Sequence, residues 1–262
     1  MAKDIIKMFP KHKTYVEVFG GAGHILFMKP RSGIEIYNDI NQNLTDFFDV
    51  LRENGKELKV KLDLTPYSRS EHKKCCNSWE NESNKIEKVR KWYVALMQSF
   101  NQVNGSWSYS IGQSRRNMSQ SVSQWLGKIE KNLPKAVNRL KSVQIENLDF
   151  KKLIPKYDTE DTLFYMDPPY VHETRIDKNS YDFEMSNQSH KEMIDLILNA
   201  RGKVILSGYE NKLYKPLSKN GWRKEVLGEY SKRASNKSEK SYAKEMIWFN
   251  FDKEGPNQTS LF

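Results

Sequence analysis

The chain has 262 residues, a formal net charge of +10 and a mean hydropathy of -0.79. This length suits one α/β domain with room for a smaller inserted module. No run of about 18 apolar residues occurs, and lysines and an aspartate interrupt the apolar residues of the N-terminus, which excludes a membrane-spanning segment and predicts a cytoplasmic protein.

The first strand-like run, Thr14–Phe19, leads into the loop Phe19-Gly20-Gly21-Ala22-Gly23. Glycines let a backbone turn tightly and approach a ligand, and a following helix start presents free N–H groups to an anion. The next strand, Gly33–Asn38, is followed directly by Asp39, whose carboxylate can accept hydrogen bonds from both hydroxyls of a ribose. This arrangement is typical of nucleoside-cofactor sites in Rossmann-like sheets. Leu26 stands where a dinucleotide fingerprint needs a third glycine, which disfavours NAD, and a purely structural glycine turn stays open as the alternative.

The middle of the chain breaks the alternation of strands and helices and carries most of the charge. Residues 69–141 contain 14 Lys or Arg against 5 acids, a net charge of +9. Two predicted helices, Ile86–Phe100 and Val122–Leu140, flank an acid-free stretch from Asn101 to Ser121. That stretch offers rings, cations and an amide suited to nucleic acid: Trp107, Tyr109, Arg115, Arg116 and Asn117.

These features predict an inserted, mostly helical DNA-contacting domain over residues 66–141. The catalytic domain then comprises residues 1–65 and 142–262. The alternative for the acid-free stretch is a long surface loop, although loops of that length inside a compact domain are uncommon.

Four more strand-like runs complete the predicted sheet: Ser142–Glu146, Thr162–Met166, Lys203–Leu206 and Glu245–Phe251. Strands alternating with helices favour an α/β fold, with a mostly parallel sheet covered by helices on both faces. The basic segment Tyr230–Tyr242, which includes Arg233, is predicted to be a second phosphate-contacting loop.

Asp167-Pro168-Pro169-Tyr170 directly follows the predicted strand Thr162–Met166, at the sheet edge where α/β proteins bind ligands. Two prolines remove two backbone donors, so a carboxylate and carbonyls remain beside an aromatic ring. Such acceptors suit the exocyclic amine of a base, whose delocalised lone pair is a poor nucleophile. Hydrogen bonds from both N–H groups would favour a pyramidal nitrogen and stabilise its developing positive charge. The alternative is a strand terminator with an incidental aspartate.

No metal site is expected. The two cysteines, Cys75 and Cys76, are adjacent, which gives neither a disulfide framework nor ligand spacing. The following histidines also lack ligand spacing: His24, His72, His172 and His190.

In the order of these motifs the chain resembles the DNA adenine methylase (Dam) family of phage and bacteria, from about Thr14 to Asn250. The resemblance implies a Rossmann-like methyltransferase that uses S-adenosylmethionine to methylate the 6-amino group of adenine in double-stranded DNA by base flipping. It assigns the cofactor to Phe19, Gly20, Gly21, Ala22, Gly23 and Asp39, and catalysis to Asp167, Pro168, Pro169 and Tyr170.

The resemblance extends to two other segments. Asn147-Leu148-Asp149-Phe150 is similar to the family segment that holds the cofactor adenine, which implies cofactor contacts for Asp149 and Phe150. Tyr93–Gly112 resembles the start of the recognition hairpin, which implies DNA contacts for Asn101 and Asn104.

One family feature is missing: a short Gly-Gly-Lys segment upstream of a helix like Ala2–Phe9. Either another residue completes the cofactor pocket, or cofactor affinity is impaired.

Two other functions stay open, namely methylation of a different exocyclic amine, in cytosine or RNA, and a DNA-binding protein that has lost catalysis. We expect a monomer or a weak dimer.

Overall fold

The computed structural model describes residues 1–100, 106–172, 184–232 and 241–252. The chain divides into two compact units, one of Met1–Asn41 with Glu146–Phe262 and one of Gln42–Ile145. The first contains most of a mixed sheet, and the second is mainly helical.

The elements up to residue 41 and from residue 144 build the sheet and the helices that cover it. In chain order they are α1 (Ala2–Lys7), β1 (Thr14–Glu17), α2 (His24–Met28), β2 (Ile34–Asn38), β5 (Gln144–Glu146), α9 (Phe150–Tyr157), β6 (Thr162–Met166), α10 (Asn187–Leu198), β7 (Lys203–Tyr209), α11 (Lys215–Lys219), β8 (Arg223–Lys232) and β9 (Ser241–Phe249).

The strand order of the sheet is β5-β2-β1-β6-β7-β9-β8. Strands β2, β1, β6 and β7 are parallel to their neighbours in that series, whereas β9 is antiparallel to both β7 and β8. The mostly parallel sheet predicted from the sequence is confirmed. Because β2 and β6 lie on opposite sides of β1, the strand order reverses there, and open α/β sheets bind ligands at the carboxyl ends of strands beside such a point.

The two faces of the sheet differ in chemistry. Side chains alternate between faces along each strand. One face packs against α9, α10 and α11 and is apolar, with Val16, Val18, Phe164, Met166, Leu206 and Trp248. The alternate positions carry buried polar groups: Tyr15, Glu17, Tyr165, Ser207 and Glu245. Phe9 stacks on Tyr15 with ring centroids 5.6 Å apart, and the Leu26 N–H donates to Glu17, so the α1–α2 region covers this second face.

The second unit contains α3 (Gln42–Glu53), α4 (Gly55–Asp63), α5 (Arg69–Ser78), α6 (Lys85–Met97), β3 (Ser114–Arg115), β4 (Met118–Ser119), α7 (Gln120–Gly127), a π-helical turn (Lys128–Asn132) and α8 (Leu133–Leu140). Aromatic rings form much of its core. Phe47 of α3 stacks on Tyr93 of α6 with centroids 5.0 Å apart, and Trp125 of α7 contacts the same tyrosine. These contacts join helices that are far apart in the sequence.

Two predictions about local structure need correction. The single helix predicted over Val122–Leu140 is interrupted by the π-helical turn, and Pro134, the second residue of α8, lacks the N–H that a continuous helix requires. The loop predicted over Tyr230–Tyr242 begins in β8 and ends in β9. Strand β8 is the outer strand of the sheet, so its sequence lacks the continuous apolar run of a central strand. Residues 233–240, including Arg233, lie outside the described residues.

Helices α3 and α4 precede the predicted domain boundary at residue 66, yet they group with the helical unit. The assignment of residues 66–141 to target recognition stays a prediction.

Candidate active site

The glycine loop leaves β1 and turns into α2 in a conformation that requires glycine. A Cβ atom at Gly20 would lie 2.2 Å from the Tyr37 ring of β2, so no larger residue fits. Gly21 has a positive φ of 51°, and a Cβ there would meet no described atom within 4 Å. The Tyr37 hydroxyl donates to the Gly21 carbonyl at 2.6 Å. The loop is therefore fixed from beneath by β2 and open on its other side.

Asp39 follows β2 and is tied to this loop. Its Oδ2 accepts the Gly21 N–H and its Oδ1 accepts the Asn41 N–H, both at 2.8 Å. Burial raises the pKa of Asp39 above its usual value, and the two N–H donors oppose that rise. A carboxylate has about four acceptor positions. Two therefore remain for hydroxyl groups of a ligand.

Asn38, which precedes Asp39, joins the glycine loop region to the segment 147–150. Its Nδ2 donates to the carbonyls of Val18 and Leu148, and its Oδ1 accepts the Leu148 N–H at 2.8 Å. Asn147 donates to the Asp39 carbonyl at 2.7 Å. The sequence marked Asp39 at the end of β2, but no pattern in it indicated that Asn38 joins these segments.

Asp149 and Phe150 occupy different environments. Asp149 caps α9 by accepting the Lys151 N–H at 2.9 Å and remains exposed. Phe150 is buried in the core and contacts Phe19 with centroids 5.9 Å apart. Of the two, Asp149 has the accessible polar atoms, and Phe150 supports the loop residue Phe19.

Asp167 follows β6 at the carboxyl end of the parallel strands. Its Oδ1 accepts the Ser207 hydroxyl of β7 at 2.9 Å. The residue is solvent-accessible by its surface area, while the protein atoms around it raise the pKa of its carboxyl, and the Ser207 hydroxyl opposes that rise. Pro168 and Pro169 follow without backbone donors.

Tyr170 is held at its hydroxyl and its ring. The hydroxyl donates to Glu245 Oε1 of β9 at 2.9 Å, and the ring meets Tyr209 edge to face at 4.7 Å. Burial raises the pKa of Glu245, opposed by the Tyr170 hydroxyl.

Glu17 is a buried carboxyl that was not predicted from the sequence. Its Oε2 accepts the Tyr15 hydroxyl at 2.8 Å and the Leu26 N–H at 2.9 Å. Burial raises its pKa to about 8 against these two donors. The signal was a polar residue near the carboxyl end of a largely apolar strand, and Ser207 in β7 occupies a similar position.

Within the helical unit, Trp107 and Tyr109 form an ordered aromatic stack. Their rings are nearly parallel with centroids 5.7 Å apart, and the Arg69 guanidinium lies 4.5 Å from the centre of the Trp107 ring. Tyr109 is exposed, and so are Phe100 and Ile111. These side chains line an open cavity of about 770 Å³. The sequence predicted the two rings but not Arg69.

Arg115, Arg116 and Asn117 lie on the β3–β4 hairpin. Arg116 and Asn117 form its two-residue turn with φ of 55° and 57°, and all three side chains are exposed. The predicted DNA contacts Asn101 and Asn104 lie outside the described residues.

The described ranges contain no cluster of three or more His, Cys, Asp or Glu that could hold a metal ion. Among the helices described, none is both long and apolar enough to cross a membrane.

A family model for D12 class N6 adenine-specific DNA methyltransferases matches residues 1–234 of the chain. No curated protein matches the chain. The matched span includes the glycine loop, Asp39, the basic helical unit and Asp167 to Tyr170.

Proposed function

The chain belongs to the D12 class N6 adenine-specific DNA methyltransferases, and we propose that it methylates adenine in double-stranded DNA with S-adenosylmethionine as donor and Asp167 as the catalytic acceptor. Family membership makes it an enzyme that acts on the N6 atom of adenine in DNA. The observation that carries the assignment of Asp167 is its accessible carboxylate at the end of β6, held on Oδ1 by Ser207 and followed by two prolines.

Asp167 acts on the nucleophile. The amine of adenine donates a hydrogen bond to the carboxylate, which draws the nitrogen lone pair out of conjugation with the ring. As the new N–C bond forms and the methyl–sulfur bond breaks, the nitrogen gains positive charge, which the nearby carboxylate stabilises. The nitrogen then releases one N–H proton to solvent, which leaves a neutral methylated amine and a neutral thioether. The Pro168 carbonyl is the proposed acceptor for the second N–H.

S-adenosylmethionine supplies the electrophilic methyl group when bound. The open side of Gly21, and the two acceptor positions left on Asp39, fit its ribose and the atoms beside it. Asp149, accessible at the start of α9, is the proposed partner of its adenine ring, with Phe19 and Phe150 as the apolar support.

Tyr170 is the proposed stacking surface for an adenine that has left the duplex, because an active site at the end of a sheet cannot reach a base inside the helix. Its bond to Glu245 and its contact with Tyr209 fix the ring before the base arrives.

DNA contacts are assigned to the helical unit. The Trp107–Tyr109 stack offers an exposed ring, that of Tyr109, and the Arg69 guanidinium lies over the ring of Trp107. The hairpin exposes two arginines and an amide at its turn, which suits phosphate and base-edge contacts. An arginine at positive φ is strained, and such strain concentrates at functional sites. Asn101, Asn104 and Arg233 stay predictions, as does a cytoplasmic location.

The test is single-turnover methyl transfer by Asp167→Asn. The variant keeps the shape and one acceptor oxygen but loses the negative charge. Cofactor affinity should be retained while the transfer rate drops about 10²–10³-fold, the usual cost of removing one electrostatic stabiliser. Nucleoside mass spectrometry identifies the methylated base.

Asp158→Asn is a matched control, because Asp158 accepts the N–H groups of Arg201 and Gly202 at the opposite end of the sheet. Transfer by Asp167→Asn at the parent rate would remove Asp167 from catalysis. Methylcytosine or methylated RNA as the sole product would contradict the adenine assignment.

A further inference from the structure

Ser207 is a fully buried hydroxyl next to Asp167. The register between β6 and β7 pairs Met166 with Leu206, so Ser207 stands beside the point where β6 ends. Its Oγ lies 2.9 Å from Asp167 Oδ1, 3.2 Å from the Met166 carbonyl and 3.4 Å from the Tyr165 hydroxyl. Three polar groups therefore contact one hydroxyl that solvent does not reach.

Hydrogen-bond chemistry sets the direction of these contacts. A carboxylate and a carbonyl only accept, so the Ser207 proton goes to Asp167 or Met166, and the 2.9 Å contact is the shorter. Burial raises the pKa of Tyr165 well above its usual value, so its hydroxyl keeps its proton and can donate to Ser207. The chain of donors runs from Tyr165 through Ser207 to Asp167.

We propose that Ser207 is a positioning residue, which fixes the Asp167 carboxylate through Oδ1 so that its remaining acceptor positions meet the amine of the substrate. This inference rests on the proposed role of Asp167. Without Ser207, the carboxylate would be free to rotate about its side-chain bonds, and the geometry of a catalytic group matters to fractions of an ångström.

The Ser207 hydroxyl affects the charge of the Asp167 carboxylate as well as its orientation. The titratable groups that face it are the carboxyls of Glu17 and Glu245 and the hydroxyls of Tyr165, Tyr170 and Tyr214. Burial favours the neutral form of Asp167, and the Ser207 hydroxyl opposes that effect, so removal of Ser207 should raise the pKa of Asp167 further.

The experiment compares Ser207→Ala with Ser207→Thr in single-turnover methyl transfer to duplex DNA, beside titration with S-adenosylmethionine. We expect Ser207→Ala to lower the rate about 10- to 100-fold, the scale of one hydrogen bond to a charged group, with cofactor affinity unchanged. The acid limb of its rate profile should move to higher pH, because the catalytic carboxylate is lost at higher pH when its pKa rises. Ser207→Thr keeps the hydroxyl and should restore most of the rate and the parent profile.

Thr162→Val is the control, because Thr162 is a fully buried hydroxyl of β6 that donates to the Tyr157 carbonyl at the other end of the strand. It should lower stability and leave the rate unchanged. If Ser207→Ala does not fold, Tyr165→Phe replaces it as the test, because it removes the hydroxyl that donates to Ser207 and keeps the ring. We then expect the acid limb of the rate profile to move to higher pH by a smaller amount.

A parent rate and an unmoved acid limb in Ser207→Ala would overturn the inference, as would equal losses in both Ser207 variants without a pH shift. If Asp167→Asn is itself fully active, the proposed function fails first. If Asp167→Asn is inactive and Ser207→Ala is normal, only the positioning role fails.

Discussion

Asp39 shows how one side chain can serve both the loop and a ligand. Each of its oxygens accepts one backbone N–H, which orients the carboxylate and leaves one further acceptor position on each oxygen. The sequence placed an acid at the end of β2, but it could not show these bonds because they come from loop residues on either side.

Asp39→Ala should weaken cofactor binding by about 1.5–3 kcal/mol, the scale of a hydrogen-bonded charged group. Asp39→Asn keeps one acceptor and should fall between the parent and the alanine variant. Isothermal titration with S-adenosylmethionine measures both. Asp63→Ala, which removes an exposed acid paired with Lys59 in α4, is the charge control. An unchanged affinity in Asp39→Ala would remove this residue from the cofactor site.

Glu17 predicts a pH dependence of stability. Its pKa is about 8 in the folded protein against an ordinary value of 4.5, so the folded state holds a proton that the unfolded state releases. The stabilisation is complete below the unfolded pKa and is lost as the pH rises through the folded pKa. Relative to Glu17→Gln, the unfolding free energy of the parent should fall between about pH 4.5 and pH 8, by at most ~1.4 kcal/mol per pH unit. Urea unfolding of both proteins across this range measures it, and parallel pH curves would contradict the buried neutral carboxyl.

At the scale of elements, the central strands were predictable and the outer ones less so. Strand β6 is buried on both faces and reads as a continuous apolar run, and its bounds match the prediction. Strand β8 pairs on one side only, and its sequence begins with three consecutive charged residues and shows no regular alternation, so it lacks the pattern of a strand. The π-helical turn was hidden because Val122–Leu140 keeps a helical spacing of apolar residues through the interruption.

The β3–β4 hairpin offers a test that separates a turn residue from a base-reading residue. Asn117 has φ of 57° in the second turn position, where glycine is favoured in two-residue hairpins of this kind. Asn117→Gly should therefore keep the hairpin and overall DNA affinity. If the amide reads a base, the variant should lose about 1–3 kcal/mol of discrimination at that position. Sequencing the methylated sites in a random DNA library measures the change, and an unchanged site preference would leave Asn117 with a turn role only.

At the scale of the whole molecule, the sequence places the catalytic motifs and the basic residues predicted to contact DNA in different parts of the chain. The catalytic motifs could be located because parallel strands bring their carboxyl ends to one edge, so Asp39 and Asp167 were predictable from local patterns. The partners Ser207 and Glu245 lie on strands added later in the chain, and only the strand order β6-β7-β9 brings them to Asp167 and Tyr170. Sequence spacing carries no signal for such neighbours.

The charge distribution leads to a prediction about DNA affinity. The net charge of +9 over residues 69–141 should displace counterions from phosphates, so the logarithm of the binding constant should fall linearly with the logarithm of salt concentration. Reversing Arg115 and Arg116 to glutamate should weaken binding and reduce that slope by about 1 for each phosphate that is no longer neutralised. Fluorescence anisotropy with a duplex across a salt series gives both quantities.

The matched control reverses Lys215 and Lys219, two exposed lysines of α11 in the sheet unit, so it changes the net charge by the same amount. Because Lys215 and Lys219 are not among the proposed phosphate contacts, this control should change the slope much less than the hairpin variant. Equal effects of the two double variants would mean that net charge alone governs binding and that the hairpin does not touch the phosphates. A binding constant independent of salt would contradict phosphate binding by the helical unit altogether.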